Sequence, residues 1–150
     1  MTDHIHVTVA TIVERDGRFL LVEEIADGRQ VFNQPAGHVE LGETLAQAAL
    51  RETLEETRWR VRLTHLLGFA LYKAPSNGVT YYRTTFIAEP LEEVADAVLD
   101  EGIIGYVWMT WDDIVRNSEK MRSPLVTRVV SEYLAGTRLP LSLIDETSLT

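Results

Sequence analysis

The chain has 150 residues, a length that fits one ordinary domain and leaves little room for a second. Hydrophobic residues make up 45% of it and charged residues 25%, which is typical of globular proteins and excludes disordered or collagen-like classes. Cysteine is absent, which excludes disulfides, thiolate metal sites and a cysteine nucleophile. We therefore expect a single domain over residues 1–150.

The charge balance argues against large anionic partners. Lys and Arg number 14 against 23 Asp and Glu, so the net charge of −9 repels long nucleic acids and anionic membranes. The opening Met1–His4 lacks a basic stretch followed by an apolar one, and no run approaches the roughly 18 apolar residues of a membrane span. We expect a cytoplasmic protein, monomeric or homodimeric, in which a small phosphorylated ligand requires a cation to reverse the local charge.

Apart from two segments, most of the chain has residue patterns that are typical of β-strands. Turn signals at Asp16-Gly17 and at Pro75–Gly78 each separate two apolar or β-branched segments, so both places predict hairpins. A further turn signal, Asp27-Gly28, precedes the short segment Val31–Pro35. In chain order the predicted strands are Ile5–Val13, Phe19–Val22, Trp59–Leu71, Val79–Ile87 and Gly102–Thr110.

Two segments predict helices. Between Glu43 and Thr57 the chain is rich in Ala, Leu, Glu and Arg and contains no Gly or Pro. Ser123-Pro124 is a good N-cap and first-turn pair for a second helix that reaches about Leu134. Together with the strands, these helices predict a mixed α/β sandwich.

The first predicted helix crowds charges onto one side. At about 100° per residue, three carboxylates and one guanidinium fall within one arc, and the opposite arc is expected to pack. The charged arc holds Arg51, Glu52, Glu55 and Glu56, and the packing arc holds Ala46, Ala49, Leu50, Thr53 and Thr57.

The acidic arc is unfavourable for an isolated helix. Like charges three or four residues apart cost about 0.2–0.5 kcal/mol per pair, and the last turn of a helix prefers cations. Arg51 can neutralise one carboxylate, most naturally Glu55, which leaves two without a partner.

A solvated acidic face is one interpretation of this arrangement. The glycine-punctuated segment Gly37–Glu43 just upstream favours another, an all-oxygen site for Mg²⁺ or Mn²⁺ rather than Zn²⁺.

From Gly37 to Trp59 the chain resembles the Nudix box, the signature of the Nudix hydrolase family. Thr53 stands where that box usually has an aliphatic residue, and Arg58 replaces a glycine suited to a left-handed helix C-cap. The resemblance implies the Nudix fold, a mixed β-sheet in an α-β-α sandwich. The matching positions are Gly37, Glu43, Arg51, Glu52, Glu55, Glu56 and the closing Trp59.

The resemblance also implies roles for these residues. Glu52, Glu56 and the backbone carbonyl of Gly37 would bind a divalent metal, Mg²⁺ or alternatively Mn²⁺. Glu55 would be a further ligand or the general base, and Arg51 would orient it. Glu43 would contact a water bound to the metal without binding the metal itself. A glutamate at a helix N-terminus is also common for a different reason, because it compensates the helix dipole.

Candidates outside the box complete the predicted site. Many Nudix proteins take a further carboxylate from another loop, and here Asp100 and Glu101 are nearest in the sequence to a strand end; Glu101 is our candidate ligand. Gln34, Arg83 and His38 are candidates for substrate binding, since arginine forks onto phosphate. Four aromatic residues could stack on a base, although aromatics in strands are more often packed: Phe32, Tyr72, Tyr81 and Tyr82.

Three further stretches resemble a broad-specificity phosphatase branch of the family, namely His6–Ala10, Asn33–His38 and Arg122–Val126. The likeness then covers about Val7 to Leu141. It implies metal-dependent hydrolysis of nucleoside tri- and diphosphates, or of related pyrophosphate esters such as that of the thiamine pyrimidine, with release of phosphate. Hydrolysis of ADP-ribose or dinucleoside polyphosphates, and a non-catalytic nucleotide-binding module, are the alternatives.

Overall fold

A computed structural model describes residues 4–146. Residues 1–3 of the N-terminal stretch considered above, and residues 147–150, lie outside the described part. Within it the strands are β1 (His6–Arg15), β2 (Arg18–Ala26), β3 (Arg29–Asn33), β4 (Ala36–His38), β5 (Trp59–Lys73), β6 (Thr80–Glu93) and β7 (Ile103–Thr110). The α-helices are α1 (Leu45–Thr57), α2 (Trp111–Arg116) and α3 (Pro124–Leu134), with short 3₁₀ turns at Ser118–Lys120 and Leu141–Leu143.

The strands form one mixed sheet around β1. Their order is β3-β2-β1-β6-β5, with β4 paired to β1 and β7 paired to β2. β1 runs parallel to β6 and antiparallel to β2 and β4. Because β1 has neighbours on both edges and helices on both faces, its middle is buried throughout, which explains its continuous apolar run.

Helices cover the two faces of this sheet. On one face Val9 and Phe86 pack against Ala48 and Ala49 of α1. On the other face α3 buries aliphatic side chains in a second core cluster, which includes Ile12, Leu21, Ile87, Val126 and Val130. The predicted α-β-α sandwich with a mixed sheet is therefore confirmed.

Both predicted hairpins are present, but several boundaries differ. β1 pairs with β2 around Asp16-Gly17, and β5 pairs with β6 around the predicted Pro75–Gly78 turn. β6 continues well past Ile87, as far as Glu93, because a register shift accommodates Pro90 opposite Val61. The predicted segment Val31–Pro35 contains only the end of β3, and the separate strand β4 begins directly after it.

α1 begins later than the sequence suggested. Thr44 is its N-cap, and the Thr44 and Gln47 side chains satisfy each other's backbone N–H groups in a capping box. Glu43, where we expected the helix to start, therefore precedes the cap. α2 was missed, although Thr110 and Asp113 form the same kind of box at its start.

The packed face of α1 is rotated from the one expected. Leu50, expected to be buried, is 40% exposed, whereas Glu56, assigned to the acidic arc, is only 9% exposed. Thr53 is buried as expected, with its hydroxyl 2.9 Å from that of Thr11, but Ala48 rather than Leu50 packs beside Ala49 in the core cluster, which rotates the buried face. This rotation turns Glu52 and Glu56 toward β4 rather than toward solvent.

α1 ends on a left-handed residue without glycine. Arg58 has φ 64°, and its backbone N–H donates to the Leu54 carbonyl. Its side chain donates to the Ala97 carbonyl at 2.8 Å, which ties the helix end to the loop before β7. Within residues 4–146, none of the helices is long and apolar enough to cross a membrane.

Candidate active site

Three carboxylates converge beside the C-terminal half of α1. Oxygens of Glu52, Glu55 and Asp100 all lie within 4.8 Å of one another. Glu52 and Glu55 come from adjacent turns of the helix, and Asp100 comes from the loop before β7. This spacing is suited to a shared hard cation.

Asp100 rather than Glu101 joins this cluster, so our choice of Glu101 is corrected. The backbone N–H of Asp100 donates to the Glu55 carbonyl at 3.1 Å, which fixes Asp100 against the end of α1. Its own carbonyl accepts from Ile103, across a turn in which Gly102 adopts φ 87°. Glu101 is exposed on that turn.

Arg51 links the acids of the site. Its Nε and Nη2 donate to the two carboxylate oxygens of Glu43 at 2.6 and 2.9 Å. Its Nη1 lies 2.7 Å from a Glu52 oxygen and 3.2 Å from a Glu55 oxygen. The expected pairing of Arg51 with Glu55 is present, and Glu43 is in addition its bidentate partner. One guanidinium holds three carboxylates in position, which leaves the cluster with an excess of negative charge.

Glu43 is anchored from both sides. Its carboxylate also accepts the Glu40 backbone N–H at 3.0 Å, and the hydrogen bonds from Arg51 lower its pKa. Arg51 in turn donates Nη2 to the His38 carbonyl, so the residues around Gly37 and the helix are tied together.

Gly37 lies directly beneath the Glu52 carboxylate. Pairing of β4 with β1 sets Gly37 opposite Val9, and α1 packs over this point. A Cβ added to Gly37 would lie 2.1 Å from the carboxyl carbon of Glu52. Only glycine permits this approach, which brings loop backbone and helix carboxylate to one place as the sequence predicted.

Glu56 is the most buried acid of the site. One of its oxygens accepts the Ala36 backbone N–H at 2.8 Å. Burial, reinforced by the charges of Glu52, Glu24 and Asp100, raises the pKa of Glu56 to about 9. Burial also raises the pKa of Glu52. Both carboxylates therefore lack sufficient counter-charge from the protein.

Arg83 is in strand β6 of the sheet and lies near Glu56 of the same site. It is 6% exposed, and burial lowers its pKa to about 10 in spite of the opposing charge of Glu56. Among the described residues its Nε has no hydrogen-bond partner. A buried guanidinium N–H with no acceptor is suited to an anionic ligand oxygen.

Gln34 lies behind Arg83 rather than in contact with solvent. It is 1% exposed, its carbonyl accepts from Arg83 Nη2 at 2.9 Å, and its amide donates to the Val126 carbonyl at 2.8 Å. Both ends of the side chain are thus occupied by protein. The structure places Gln34 as a support for Arg83, which differs from the substrate contact we expected.

The residues present fit a divalent cation. The donors are carboxylates and a backbone carbonyl, the set that Mg²⁺ and Mn²⁺ prefer, and the Gly37 approach and the raised pKa of Glu56 both indicate a place for positive charge. Glu52, Glu55, Glu56 and Asp100, with the Gly37 carbonyl, are the residues that would hold it.

Gly37, Glu56 and Arg83 line a cleft of about 700 Å³, and the cluster of Glu52, Glu55 and Asp100 lies beside it. Thr8 of β1 has His38 on one neighbouring strand and Arg83 on the other, and all three line the cleft. His38 shares a 2.9 Å hydrogen bond with His6, and burial followed by the His6 charge lowers its pKa.

The four candidate aromatics separate into different environments. Phe32 packs against the α3 core cluster, and Tyr82 is on the opposite face of β6, stacked with Phe69. Tyr72 and Tyr81 line the cleft.

Sequence reasoning missed Glu24 and gave no role to Arg122, which also line the cleft and lie 2.7 Å apart. The available signal was the carboxylate pair Glu23-Glu24, which interrupts the apolar residues of β2.

Comparison with known proteins agrees with this geometry. A family model for the NUDIX domain matches residues 2–129. The chain is 37% identical over 142 residues to phosphatase NudJ of Escherichia coli strain K12, covering 94% of this chain and 91% of that one, and equally to NudJ of Shigella sonnei. A NUDIX hydrolase from Nitrosomonas europaea superposes with a TM-score of 0.92 at 40% identity, covering 95% and 97% of the two chains.

These comparisons confirm the resemblance, the fold class and the expectation of a hydrolase. The family uses divalent metals and acts on small nucleotide substrates, in agreement with the acidic cluster and the cleft beside it. The chain belongs to the Nudix hydrolase family.

Proposed function

We propose that this protein hydrolyses small nucleoside tri- and diphosphates, or related pyrophosphate esters, with Mg²⁺ and with release of phosphate, as the name of its relative phosphatase NudJ suggests. The observation that carries the proposal is that Gly37 and Glu56, beside the under-neutralised carboxylate cluster, line one cleft with buried Arg83, whose Nε has no hydrogen-bond partner among the described residues. One side is suited to a cation and the other to a phosphate oxygen.

The metal ligands in this proposal are Glu52, Glu56 and the Gly37 carbonyl, with Glu55 and Asp100 beside them. A bound divalent ion supplies charge neutralisation on phosphoryl oxygens and acidifies water. Glu55, more exposed than Glu52, is the candidate general base because its carboxylate can reach both the cluster and solvent.

Arg51 and Glu43 hold this arrangement. Arg51 keeps Glu52 and Glu55 on the same side of the helix, and Glu43 fixes the guanidinium plane by its two hydrogen bonds. They are positioning residues in the proposal, since Arg51 already directs its donors to protein acceptors.

Arg83 and His38 are the candidate substrate contacts. Arg83 lines the cleft, its buried Nε has no hydrogen-bond partner among the described residues, and Gln34 fixes the guanidinium from behind. His38 stands beside Gly37 on the cleft wall, at hydrogen-bonding reach of His6.

A phosphate-release assay tests the function. The protein is incubated with Mg²⁺ and a panel of nucleoside tri- and diphosphates, ADP-ribose and dinucleoside polyphosphates, with and without added pyrophosphatase. We expect orthophosphate from tri- and diphosphates without the auxiliary enzyme. Signal only with it would show a pyrophosphohydrolase, turnover only of ADP-ribose or dinucleoside polyphosphates would show the alternative enzyme, and binding without turnover would show a non-catalytic module.

The remaining expectations stand as predictions from the sequence. They are a single domain over residues 1–150, a cytoplasmic location and a monomeric or homodimeric state. Replacement of Mg²⁺ by Mn²⁺ in the same assay tests the choice of cation.

A further inference from the structure

The cleft continues beyond Arg83 to an end that the proposed chemistry does not use. Its wall there is aromatic, because Tyr72 of β5 and Tyr81 of β6 are directly paired across the two strands and both line the cleft. Two neighbouring phenol rings at the end of a phosphate-binding cleft offer a flat, apolar surface.

Tyr81 is held in place on several sides. Its hydroxyl accepts from the Asn77 side-chain amide at 3.1 Å. The rings of His6 and His38 lie 5.6 and 6.2 Å from its ring, centroid to centroid. A ring fixed in this way loses little conformational entropy when a ligand packs on it.

Arg122 lines the same cleft from the segment before α3, and it lies close enough to Tyr81 for the two side chains to interact electrostatically. Its Nη1 donates to Glu24 at 2.7 Å, and its backbone N–H donates to the Phe32 carbonyl at 2.7 Å. Its side chain nevertheless remains 45% exposed. A guanidinium that is tied to a carboxylate and still partly exposed is suited to stacking on a planar ring or donating to its edge.

The spacing along β6 connects this end to the phosphate site. Tyr81 and Arg83 are two residues apart, so their side chains are on the same face, about 7 Å apart along the strand. A ligand whose phosphates reach Arg83 would therefore place its next group beside Tyr81.

We propose that Tyr81 and Arg122 form a slot for the planar heterocyclic ring of the substrate, with Tyr72 extending its aromatic wall. The slot makes the enzyme prefer pyrophosphate compounds that carry a base or similar ring over ringless ones. This inference rests on the proposed function, and it assigns substrate preference to residues outside the Nudix box.

The first test compares a ringed with a ringless substrate. ATP and inorganic tripolyphosphate are assayed with the unchanged protein, Tyr81→Ala, Tyr81→Phe and Tyr82→Ala. Tyr82 is the matched control because it is the neighbouring tyrosine on the opposite face of β6. We expect Tyr81→Ala to raise KM for ATP by roughly ten-fold or more, the size of a base–aromatic stack, while KM for tripolyphosphate stays within about two-fold.

Tyr81→Phe, which keeps the ring, should retain the KM of the unchanged protein for ATP, as should Tyr82→Ala. An equal rise of KM for both substrates in Tyr81→Ala, or no rise for either, would overturn the slot. Absence of turnover of every compound by the unchanged protein would instead overturn the proposed function, so the two failures are distinguishable.

A binding measurement tests Arg122 without turnover. Calorimetric titration with AMP and with inorganic phosphate is done on the unchanged protein and on Arg122→Lys, which keeps the charge beside Glu24 but lacks the plane. We expect AMP to bind several-fold more weakly to Arg122→Lys, with phosphate binding unchanged. Equal weakening for both ligands would show that Arg122 binds anions rather than a ring, and unchanged AMP binding would show that it is not part of the slot.

Discussion

α1 and α3 pack on opposite faces of one sheet but bury different chemistry. α3 buries Leu125, Val126, Val129 and Val130, which are ordinary core side chains. α1 buries alanines, threonines and Glu56. α3 therefore contributes mainly the burial of apolar surface, which stabilises a fold by about 25 cal/mol per Å². The small residues of α1 instead let its backbone lie close to β4.

The two helices therefore make different contributions, α1 to the site and α3 to the stability of the fold. Close approach of α1 places Glu52 on Gly37 and Glu56 on the Ala36 N–H, and the burial of the two carboxylates raises their pKa and is unfavourable for their charged forms. We infer that the charged site on α1 lowers the free energy of unfolding, whereas the apolar packing of α3 raises it. The predictions below test this division.

The largest expected effect is on turnover, from the acids of α1. Glu55→Gln or Glu56→Gln should reduce kcat/KM by about 10²–10⁴ while the fold is retained, because a base or a metal ligand is lost. Steady-state assays and circular dichroism measure the two quantities. Glu132→Gln on α3, whose carboxylate pairs with Arg128 on the surface, is the control and should keep full activity. Full activity in both α1 variants would contradict the assigned roles.

Gly37→Ala should have the next largest effect. The added methyl would displace the Glu52 carboxylate by an ångström or more, which we expect to cost roughly 10²-fold in kcat/KM. It should also blunt the rise in Tm that Mg²⁺ produces by mass action. Gly68→Ala is the matched control, because a Cβ there meets nothing within 4 Å. An unchanged Mg²⁺ response in Gly37→Ala would remove Gly37 from the site.

The pH dependence of stability without metal follows from Glu56. Its pKa is about 9 in the fold and about 4.3 in an unfolded chain, so between these values the folded state holds a proton that the unfolded state has released. The free energy of unfolding should therefore fall as pH rises from about 5 to about 9. Urea denaturation with a chelator measures it. Glu56→Gln should flatten the curve, and an identical slope in that variant would refute the explanation.

On α3 the expected effect is on stability alone. Val126→Ala removes two buried methyl groups, and we expect it to lower the free energy of unfolding by about 1–3 kcal/mol with kcat/KM unchanged. Ser131→Ala, at an exposed position of the same helix, should have little effect. A loss of activity in Val126→Ala at a temperature where it is folded would mean that α3 also positions the site, through the Gln34 contact.

The smallest effect concerns the end of α1. Arg58→Gly and Arg58→Ala both lose the bond to Ala97, but only glycine adopts φ 64° without a penalty. The glycine variant should exceed the alanine variant by about 1 kcal/mol in the free energy of unfolding. Equal stabilities would show that the left-handed conformation carries no strain here.

The sequence correctly predicted the turns and caps that depend on interactions between residues close together in the chain. Turn residues at Asp16-Gly17 and the Ser123-Pro124 cap each act within a few residues, and each was interpreted correctly. The start of α1 was misplaced because composition suggested Glu43 while the side-chain cap at Thr44 decides it.

The site beyond the box depended on long-range contacts. Glu101 and Asp100 are neighbours in sequence, and only the bond from Asp100 N–H to the Glu55 carbonyl selects between them. Gln34 and Arg83 carry no local sign of which one supports the other. Likewise Tyr81 and Tyr82 differ only in the face of β6 to which they belong.

The sequence by itself determined the family, the two flanking helices and the excess of acid beside Arg51, because charge and side-chain spacing on one helix are properties of the chain. Only the tertiary structure decided which carboxylates share a position, that the Nε of Arg83 has no hydrogen-bond partner among the described residues, and which tyrosines line the cleft. Those properties depend on strand pairing and helix rotation, which are set by packing between residues far apart in the chain.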